Sequence, residues 1–183
     1  MVFAPKSQPT AYQPSGVSVP GRQRRRYSVR LWSVRHSRLF ELVYNTLAEV
    51  LLKLHPLWNL LGYHRIERPI VVIESAVKGF LFDCRMCGRC ALSDTGMSCP
   101  MNCPKSLRNG PCGGVRANGH CEVEPEMPCV WVEAWNGSRQ MKSGDNILKV
   151  QKPLDQSLRG SSAWLRATAE RAAKDQAVKA PAP

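Results

Sequence analysis

The segment CRMCGRC, residues 84–90, places three cysteines in one short loop, each separated from the next by two residues. A C-x2-C-x2-C loop can wrap three corners of a cubane iron–sulfur cluster, while the fourth thiolate comes from elsewhere and is often followed by proline. A structural zinc site normally takes two cysteines from each of two knuckles, so a third cysteine in the same loop is surplus. The triplet therefore favours an iron–sulfur cluster over zinc.

The eight cysteines of the chain follow the pattern C-x2-C-x2-C-x8-C-x3-C-x8-C-x8-C-x7-C. Eight thiols make two sets of four, which suits two cubane clusters, two zinc sites or one of each. Cys99 and Cys103 each precede a proline, and either can be the fourth ligand of the triplet. If Cys103 is that ligand, the first set is Cys84, Cys87, Cys90 and Cys103, and the second set is Cys99, Cys112, Cys121 and Cys129. The spacing alone does not assign the pairing.

Glycines lie beside the later cysteines, in NGPCGG at 109–114 and ANGHC at 117–121. At such positions the backbone can bend closely and direct its N–H groups toward sulfur. His120 could serve as a zinc ligand, although a turn histidine that faces water is the simpler interpretation. The second set could hold either a cluster or zinc.

The net charge of +12 is concentrated at the two ends of the chain. Residues 1–40 carry eight Lys or Arg and no acid, and residues 136–183 carry nine basic residues against four acids. Residues 81–135, in contrast, hold five basic and six acidic residues. This near-neutral balance disfavours a nucleic-acid site on the cysteine-rich part, although a basic arm could still meet a phosphate backbone or an acidic partner.

Clustered cysteines indicate disulfides in secreted proteins but metal in a reducing compartment. The N-terminus lacks the apolar segment that a secretion signal needs, and we therefore predict a cytoplasmic protein with metal-bound thiols. An organelle transit peptide is the less favoured alternative for the arginine-rich start. No segment has the roughly 18 uninterrupted apolar residues that a membrane span requires.

Four regions are expected along the chain. The proline- and arginine-rich residues 1–36 predict a disordered basic arm. Apolar residues at helical spacing predict an amphipathic helical region over 37–77, interrupted by Pro56 and partly available to a partner surface. Residues 78–135 form the cysteine-rich metal-binding module, and residues 136–183 form a linker with a solvent-exposed, alanine-rich C-terminal helix and tail. The expected fold class is small and mixed, mainly α and loop, with a metal-stapled module and flexible basic ends.

The segment RPIVVIESAVKGFLFDC, residues 68–84, is compatible with two structures. Its β-branched IVVIE suits a strand, whereas Ile70, Ile73, Val77 and Phe80 share one face of a helix. We interpret it as a helix that enters the cysteine-rich module. The sequence contains no glycine-rich phosphate loop, serine elbow or HExxH motif, and a metal-binding chain without a substrate site suits electron transfer or docking better than independent catalysis.

Residues 78–135 closely resemble the C-terminal domain of 5,10-methylenetetrahydrofolate reductase, through the motifs CPKxLRNGPCGG and CEVxPxxPCVW. In some bacteria this domain is a separate small protein beside a flavin-containing reductase, and in others it is fused to it. The resemblance implies a subunit with one or two [4Fe–4S] clusters, or zinc in place of one, that passes electrons to or from the partner's flavin. FMN or FAD and the folate would lie only in the partner subunit.

The resemblance implies no catalytic residue and makes all eight cysteines the ligand candidates. Lys105, Arg108 and Asn109 belong to the motif, where they could donate hydrogen bonds to a cluster, meet the partner or simply shape the loop. The expected partners are the flavin-containing reductase subunit and either a ferredoxin-like donor or a corrinoid/folate methyltransferase. The alternatives are a structural zinc scaffold of the reductase or methyltransferase and, least favoured, a zinc-ribbon nucleic-acid-binding protein.

Overall fold

The computed structural model describes residues 20–179, with side chains described over residues 27–178. Within this range the α-helices are α1 (Pro20–Arg35), α2 (Ser37–Lys53), α3 (His55–Leu61), α4 (Tyr63–Phe82), α5 (Val130–Ser138) and α6 (Ala163–Lys179). Short 3₁₀ turns lie at Leu92–Asp94, Pro100–Asn102, Gly144–Leu148 and Gln156–Leu158. The described residues form isolated bridges but no β-strand. The expectation of a small fold made mainly of α-helix and loop is confirmed, and metal stapling stays a prediction.

Residues 20–35, expected to lie in a disordered arm, instead form α1, which packs against α4 and α5. Ser33 Oγ donates to the Leu81 carbonyl at 2.8 Å, and Tyr27 Oη donates to Glu124 at 3.0 Å. Several residues on the inward face of α1 are polar, including the fully buried Arg30 and Ser33, so apolar periodicity could not reveal the helix. The rest of the predicted arm, residues 1–19, lies outside the described range.

Pro56 divides the amphipathic region as expected, because α2 ends at Lys53 and α3 begins at His55. The ambiguous segment before the first cysteine is helical and forms most of α4, which runs on to Phe82. The predicted boundary at residue 77 therefore falls inside a helix. Asp83 then adopts a left-handed conformation, with φ of 50°, and turns the chain into the cysteine loop.

The main apolar core forms where α2 and α4 meet the start of the cysteine-rich module. Phe40 of α2 packs edge-on against Phe82 of α4, with ring centroids 5.3 Å apart. Both belong to one cluster of buried residues, whose members are Phe40, Phe82, Leu92, Met97, Cys99 and Met141. Since Cys99 is part of this cluster, the core extends up to the cysteines.

The C-terminal helix α6 is not the solvent-exposed helix that the composition suggested. It packs mainly against α2, and its buried side chains are Ala163, Leu165, Thr168 and Ala172. Its N-terminus is anchored by a buried carboxylate, because Glu74 of α4 accepts from Ser162 Oγ at 2.6 Å and from the Trp164 amide at 3.3 Å. Alanine is small enough for a helix–helix contact and is also common in exposed helices. Composition alone therefore could not show that α6 packs against α2.

The outer faces of α2, α3 and α4 carry exposed apolar side chains. Leu42 is 64%, Leu60 82% and Phe80 71% exposed. Over residues 20–179, no helix combines the length and apolar character needed to cross a membrane. The partner surface expected on this region stays a prediction.

Glu41 provides a test of how α2 is fixed to the segment after α5. Its buried carboxylate accepts from the Lys142 amide at 2.8 Å and from the Ser143 amide and hydroxyl at 2.8 and 2.6 Å. Although burial raises the pKa of Glu41, these donors lower it overall below the ordinary value of 4.5. We expect Glu41→Gln to reduce the free energy of unfolding by about 2–4 kcal/mol, measured by urea denaturation at neutral pH.

The pH dependence of that loss gives a second readout. A carboxylate with a depressed folded-state pKa stabilises fully above its unfolded pKa, and this contribution is lost as pH falls through the folded-state value. The difference between the wild-type protein and Glu41→Gln should therefore shrink below about pH 4.5. A difference that stays constant down to pH 3 would contradict this role.

Candidate metal centres

The eight cysteines line two separate cavities, with four cysteines in each. The first set consists of Cys84, Cys87, Cys90 and Cys99, around a small cavity that is partly open to solvent. The second set consists of Cys103, Cys112, Cys121 and Cys129, around another small cavity. The turn Pro100–Asn102 connects the two sets, and the Cα atoms of Cys99 and Cys103 can be at most about 14 Å apart. The cavities are therefore neighbours.

The structure brings Cys99, rather than Cys103, to the triplet. Cys99 is buried in the main core beside Phe82 and contacts the Cys84 thiol. Cys103 packs instead against the small cluster formed by Cys121, Met127 and Val130. The 3₁₀ turn Pro100–Asn102 separates the two cysteines, and each lines a different cavity. The spacing of the cysteines in the sequence could not reveal this turn. This placement differs from the set with Cys103 and agrees with the alternative that the sequence left open.

Left-handed backbone shapes the loop around the first set. Met86 and Gly88 have φ of 45° and 74°, respectively. The Met86 amide points at Cys84 Sγ, 3.4 Å away, and the Met86 carbonyl accepts from the Gly160 amide at 2.8 Å. A Cβ at Gly88 would overlap the carbonyl oxygen of Leu158. The tight loop thus depends on the segment just before α6 as well as on its own residues.

The first cavity is lined by three basic side chains and one acidic side chain, Lys78, Arg89, Arg108 and Glu74. Lys78 and Glu74 are almost fully buried and form an ion pair at 2.5 Å. Burial lowers the pKa of Lys78, but the charges of Cys90 and Glu74 raise it more, so the ammonium group stays protonated. Four thiolates with a dipositive metal core carry a net charge of about −2, which this basic lining would compensate.

The thiols of the first set also influence one another. The hydrogen bond between the Cys84 and Cys99 thiols lowers the pKa of Cys84, and the Met86 amide and Lys78 lower it further. The same bond and burial raise the pKa of Cys99. One thiol of the pair is therefore ready to become a thiolate, the form that binds metal.

The cysteines of the second set lie in irregular loops, and backbone hydrogen bonds connect these loops to one another. The Cys121 amide donates to the Met127 carbonyl at 2.9 Å, and the Cys129 amide donates to the Gly119 carbonyl at 3.0 Å. The Gly114 amide points at Cys112 Sγ, 3.4 Å away. Cys121 and Cys129 are buried, whereas Cys112 is exposed. The second centre would therefore be closer to solvent on one side.

The motif residues have distinct positions. Lys105 pairs with Glu122 beside the second set. Arg108 reaches the first set, where its guanidinium lies 3.8 Å from Cys87 Sγ and donates to the Arg89 carbonyl at 2.6 Å. Asn109 ties the loop to the later chain, because Gln151 donates to it at 2.6 Å through the backbone amide.

The histidine next to Cys121 faces away from both cavities. The His120 ring nitrogen Nδ1 lies 2.8 Å from the Pro125 carbonyl, and His120 lines neither cavity. Sequence reasoning missed Glu74 and Lys78, although their i, i+4 spacing within an apolar helix was a visible signal. It also missed Gly88, whose need for positive φ is not visible without the fold.

The interior also contains buried polar atoms that lack a hydrogen bond of ordinary geometry, and these bear on whether a metal centre fits. Among the described residues, four buried side-chain atoms lack a hydrogen-bond partner: Arg30 Nη2, Tyr44 Oη, Trp164 Nε1 and Arg166 Nε. Each of these atoms can donate, and buried donors are normally satisfied. Of the residues concerned, Tyr44 and Trp164 line a groove with Cys90, and the Trp164 indole can donate to the Tyr44 hydroxyl. The donor set itself fits a metal centre, because four thiols with Lys78, Arg89 and Arg108 beside them suit an anionic iron–sulfur cluster.

The thiols of each set line one cavity, and those of Cys84 and Cys99 contact each other. Within residues 20–179, no three His, Cys, Asp or Glu side chains are arranged as ligands of a single metal ion. The distinction between zinc and a cluster rests on the spacing of the cysteines, which favours a cluster at the first set.

A family model described as methylene-tetrahydrofolate reductase C terminal matches residues 63–157. The matched range covers just over half of the chain, and it includes α4, both sets of cysteines and the segment that Asn109 contacts. The match associates the chain with folate one-carbon metabolism and with a reductase-related partner. The searches of curated proteins and of solved structures found no match.

Paired substitutions test the division of the cysteines. Because Cys84 and Cys99 line the same cavity, Cys84→Ser/Cys99→Ser should retain about half of the bound metal. Cys84→Ser/Cys103→Ser damages both sets and should lose nearly all of it. Metal per chain, measured after anaerobic purification, distinguishes the pairings, since a first set containing Cys103 would reverse the two results.

A matched pair of glycines tests the loop contact at the first set. Gly88 and Gly62 have similar φ of 74° and 82°, but a Cβ at Gly62 meets nothing within 4 Å. Gly62→Ala should therefore cost only the backbone strain, about 1–2 kcal/mol in a denaturation experiment. Gly88→Ala should cost more and lose metal from the first set. Equal effects of the two substitutions would show that the Leu158 contact is unimportant.

Proposed function

Because this chain belongs to the methylene-tetrahydrofolate reductase C-terminal family, we propose that it is the iron–sulfur accessory subunit of a flavin-dependent methylenetetrahydrofolate reductase. In this proposal each set of four cysteines holds one [4Fe–4S] cluster. The subunit passes electrons to or from the flavin, FMN or FAD, of its partner, where the folate also binds. The observation that carries the proposal is the division of eight thiols into two adjoining sets of four.

The arrangement of the thiols supports clusters over single ions. Four sulfurs around a cavity suit a cubane, whose corners are occupied by several iron and sulfide atoms. The loop of residues 84–90 supplies three ligands and Cys99-Pro100 the fourth, a cysteine followed by proline as in iron–sulfur motifs. Zinc at the second set remains the second candidate, because Cys121 and Cys129 are held by a compact, bridged loop.

The chemistry that such clusters supply is transfer of one electron at a time. The chain's own residues would hold the thiolates in place and adjust their charge. Backbone amides of Met86 and Gly114 point at sulfur in the first and second sets, respectively. The cations Lys78 and Arg108 lie beside the first set, where they would favour a centre that becomes more negative on reduction.

The adjoining positions of the two sets support passage of electrons through the subunit. Cys99 and Cys103 face different cavities and are connected by the turn Pro100–Asn102. The exposed Cys112 brings the second set close to solvent, where a ferredoxin-like donor or the reductase could approach. A structural zinc scaffold for the reductase or for a corrinoid/folate methyltransferase is the competing function, and it predicts a colourless protein.

Metal analysis and spectroscopy test the identity of the centres. The subunit purified anaerobically with its flavoprotein should contain about eight iron atoms per chain and show a broad visible absorption that bleaches with dithionite. Zinc alone, with no visible absorption in the separated subunit, would exclude the electron-transfer function and leave the scaffold.

A ligand substitution tests the function directly. In the reductase complex, Cys87→Ser should leave the flavin bound but slow its reduction by a reduced ferredoxin-like donor at least about tenfold. Arg85→Lys is the control, because Arg85 lies in the same loop and is 54% exposed. Stopped-flow measurement of flavin absorbance gives the rates. An unchanged rate in Cys87→Ser would contradict the proposed route of electrons.

A further inference from the structure

The segment that leads into α6 forms one side of the first cavity. Ser161 and Ala163 line this cavity together with the four cysteines of the first set. Both residues lie beyond residue 157, where the family-matched region ends. The first set is therefore enclosed partly by residues that the family region does not contain.

The same segment contacts the cysteine loop at both of its spacers. Met86 lies between the first and second cysteines of the loop, and its carbonyl accepts from the Gly160 amide at 2.8 Å. Gly88 lies between the second and third cysteines, and a Cβ on it would overlap the Leu158 carbonyl oxygen. Both Met86 and Gly88 have positive φ, so these contacts lie where the backbone of the loop is under most constraint. The positions of the three thiols therefore depend on where residues 158–160 lie.

A buried serine fixes this segment to α4. Ser162 is 2% and Glu74 0% exposed, and the Ser162 hydroxyl donates to the Glu74 carboxylate at 2.6 Å. The same hydroxyl accepts from the Leu165 amide at 3.2 Å, so it also caps the first turn of α6. Glu74 lines the first cavity, whereas Ser162 does not. One hydroxyl thus ties the N-terminus of α6 to a side chain beside the cysteine loop.

These contacts couple the docking of the C-terminal segment, residues 158–179, to the shape of the first set. Four thiols hold a metal group only when the loop that carries three of them keeps its geometry. A group that binds one conformation of a protein stabilises that conformation, and the coupling acts equally in both directions. Metal at the first set should therefore favour the docked segment, and the docked segment should favour retention of the metal.

We propose that the C-terminal segment closes the first metal centre, so that its docking and the retention of metal by the first set stabilise each other. This inference rests on the proposed function only in taking the first set to be a metal centre. Ser162 is a positioning residue, because it acts on the cysteines through the segment and Glu74. No residue of the segment lines the second cavity, so the second set should be independent of it.

A pair of buried serines supplies the test variant and its control. Ser162→Ala removes the hydroxyl that joins α6 to Glu74 and leaves the lining of the first cavity unchanged. Ser37→Ala is the control, because Ser37 is also fully buried and donates at 2.8 Å to a carbonyl distant in sequence, that of Gly137. Ser37 lines neither cysteine cavity.

The first measurement is the rate of metal loss to excess chelator from the full chain. Thiol alkylation and mass spectrometry identify which cysteines are released. Ser162→Ala should release the first set about tenfold faster than the wild-type protein, with the second set unchanged, because a hydrogen bond to a buried carboxylate is lost. Ser37→Ala should change neither set. Release of the first set at the wild-type rate in Ser162→Ala, or equal acceleration of both sets, would overturn the proposal.

The second measurement follows the coupling in the opposite direction, through hydrogen exchange of the α6 amides. Cys87→Ser removes a ligand of the first set, and the α6 amides should then exchange about tenfold faster than in the wild-type protein. Cys112→Ser removes a ligand of the second set and should leave their exchange unchanged. Equal exchange in the two variants would show that α6 does not respond to the first set and would overturn the proposal.

The metal content separates this inference from the proposed function. If the first set holds zinc, the electron-transfer function fails, yet chelator release and hydrogen exchange still decide whether the C-terminal segment closes the centre. If both sets hold iron–sulfur clusters but neither measurement responds as expected, the proposed function stands and this inference fails.

Discussion

The buried ion pair between Glu74 and Lys78 is the interaction on which the arrangement around the first set depends. It lies on the inner face of α4, fixes the N-terminus of α6 through Ser162 and places a cation beside the cysteine loop. Breaking one partner of such a pair costs about 3–5 kcal/mol, because the other charge is left buried. Helix packing and the charge beside the first set of cysteines are therefore coupled at one place.

Some of the cysteines are also part of the apolar core. Buried apolar side chains form small clusters, and three of these clusters contain cysteines: Cys99, Cys121 and Cys129 are members of separate ones. A chain of this size with long irregular loops has limited apolar surface to bury. Metal–thiolate bonds at the two sets would supply the stability that the loops cannot gain from packing alone.

The sequence predicted the helices that have a regular apolar face and singled out the eight cysteines that line the two cavities. The break at Pro56 and the helical form of residues 68–82 were both foreseeable from local patterns. α1 was not, because its inward face includes the polar Arg30 and Ser33, and Ser33 is buried through its tertiary contact with Leu81. The inner face of α6 was hidden for a similar reason, since alanine suits both a surface and a close helix contact.

The division of the cysteines shows where sequence reasoning about the site ends. Proline follows both Cys99 and Cys103, so the motif offered two fourth ligands. The choice is made by the turn Pro100–Asn102 and by packing of Cys99 against Phe82, which are properties of the fold.

Anomalous diffraction at the iron absorption edge, from crystals grown without oxygen, is the most direct test of the central claim. The account predicts two separate iron peaks, one bonded to Cys84, Cys87, Cys90 and Cys99, and the other to Cys103, Cys112, Cys121 and Cys129. A single peak, or a first peak bonded to Cys103 in place of Cys99, would contradict it.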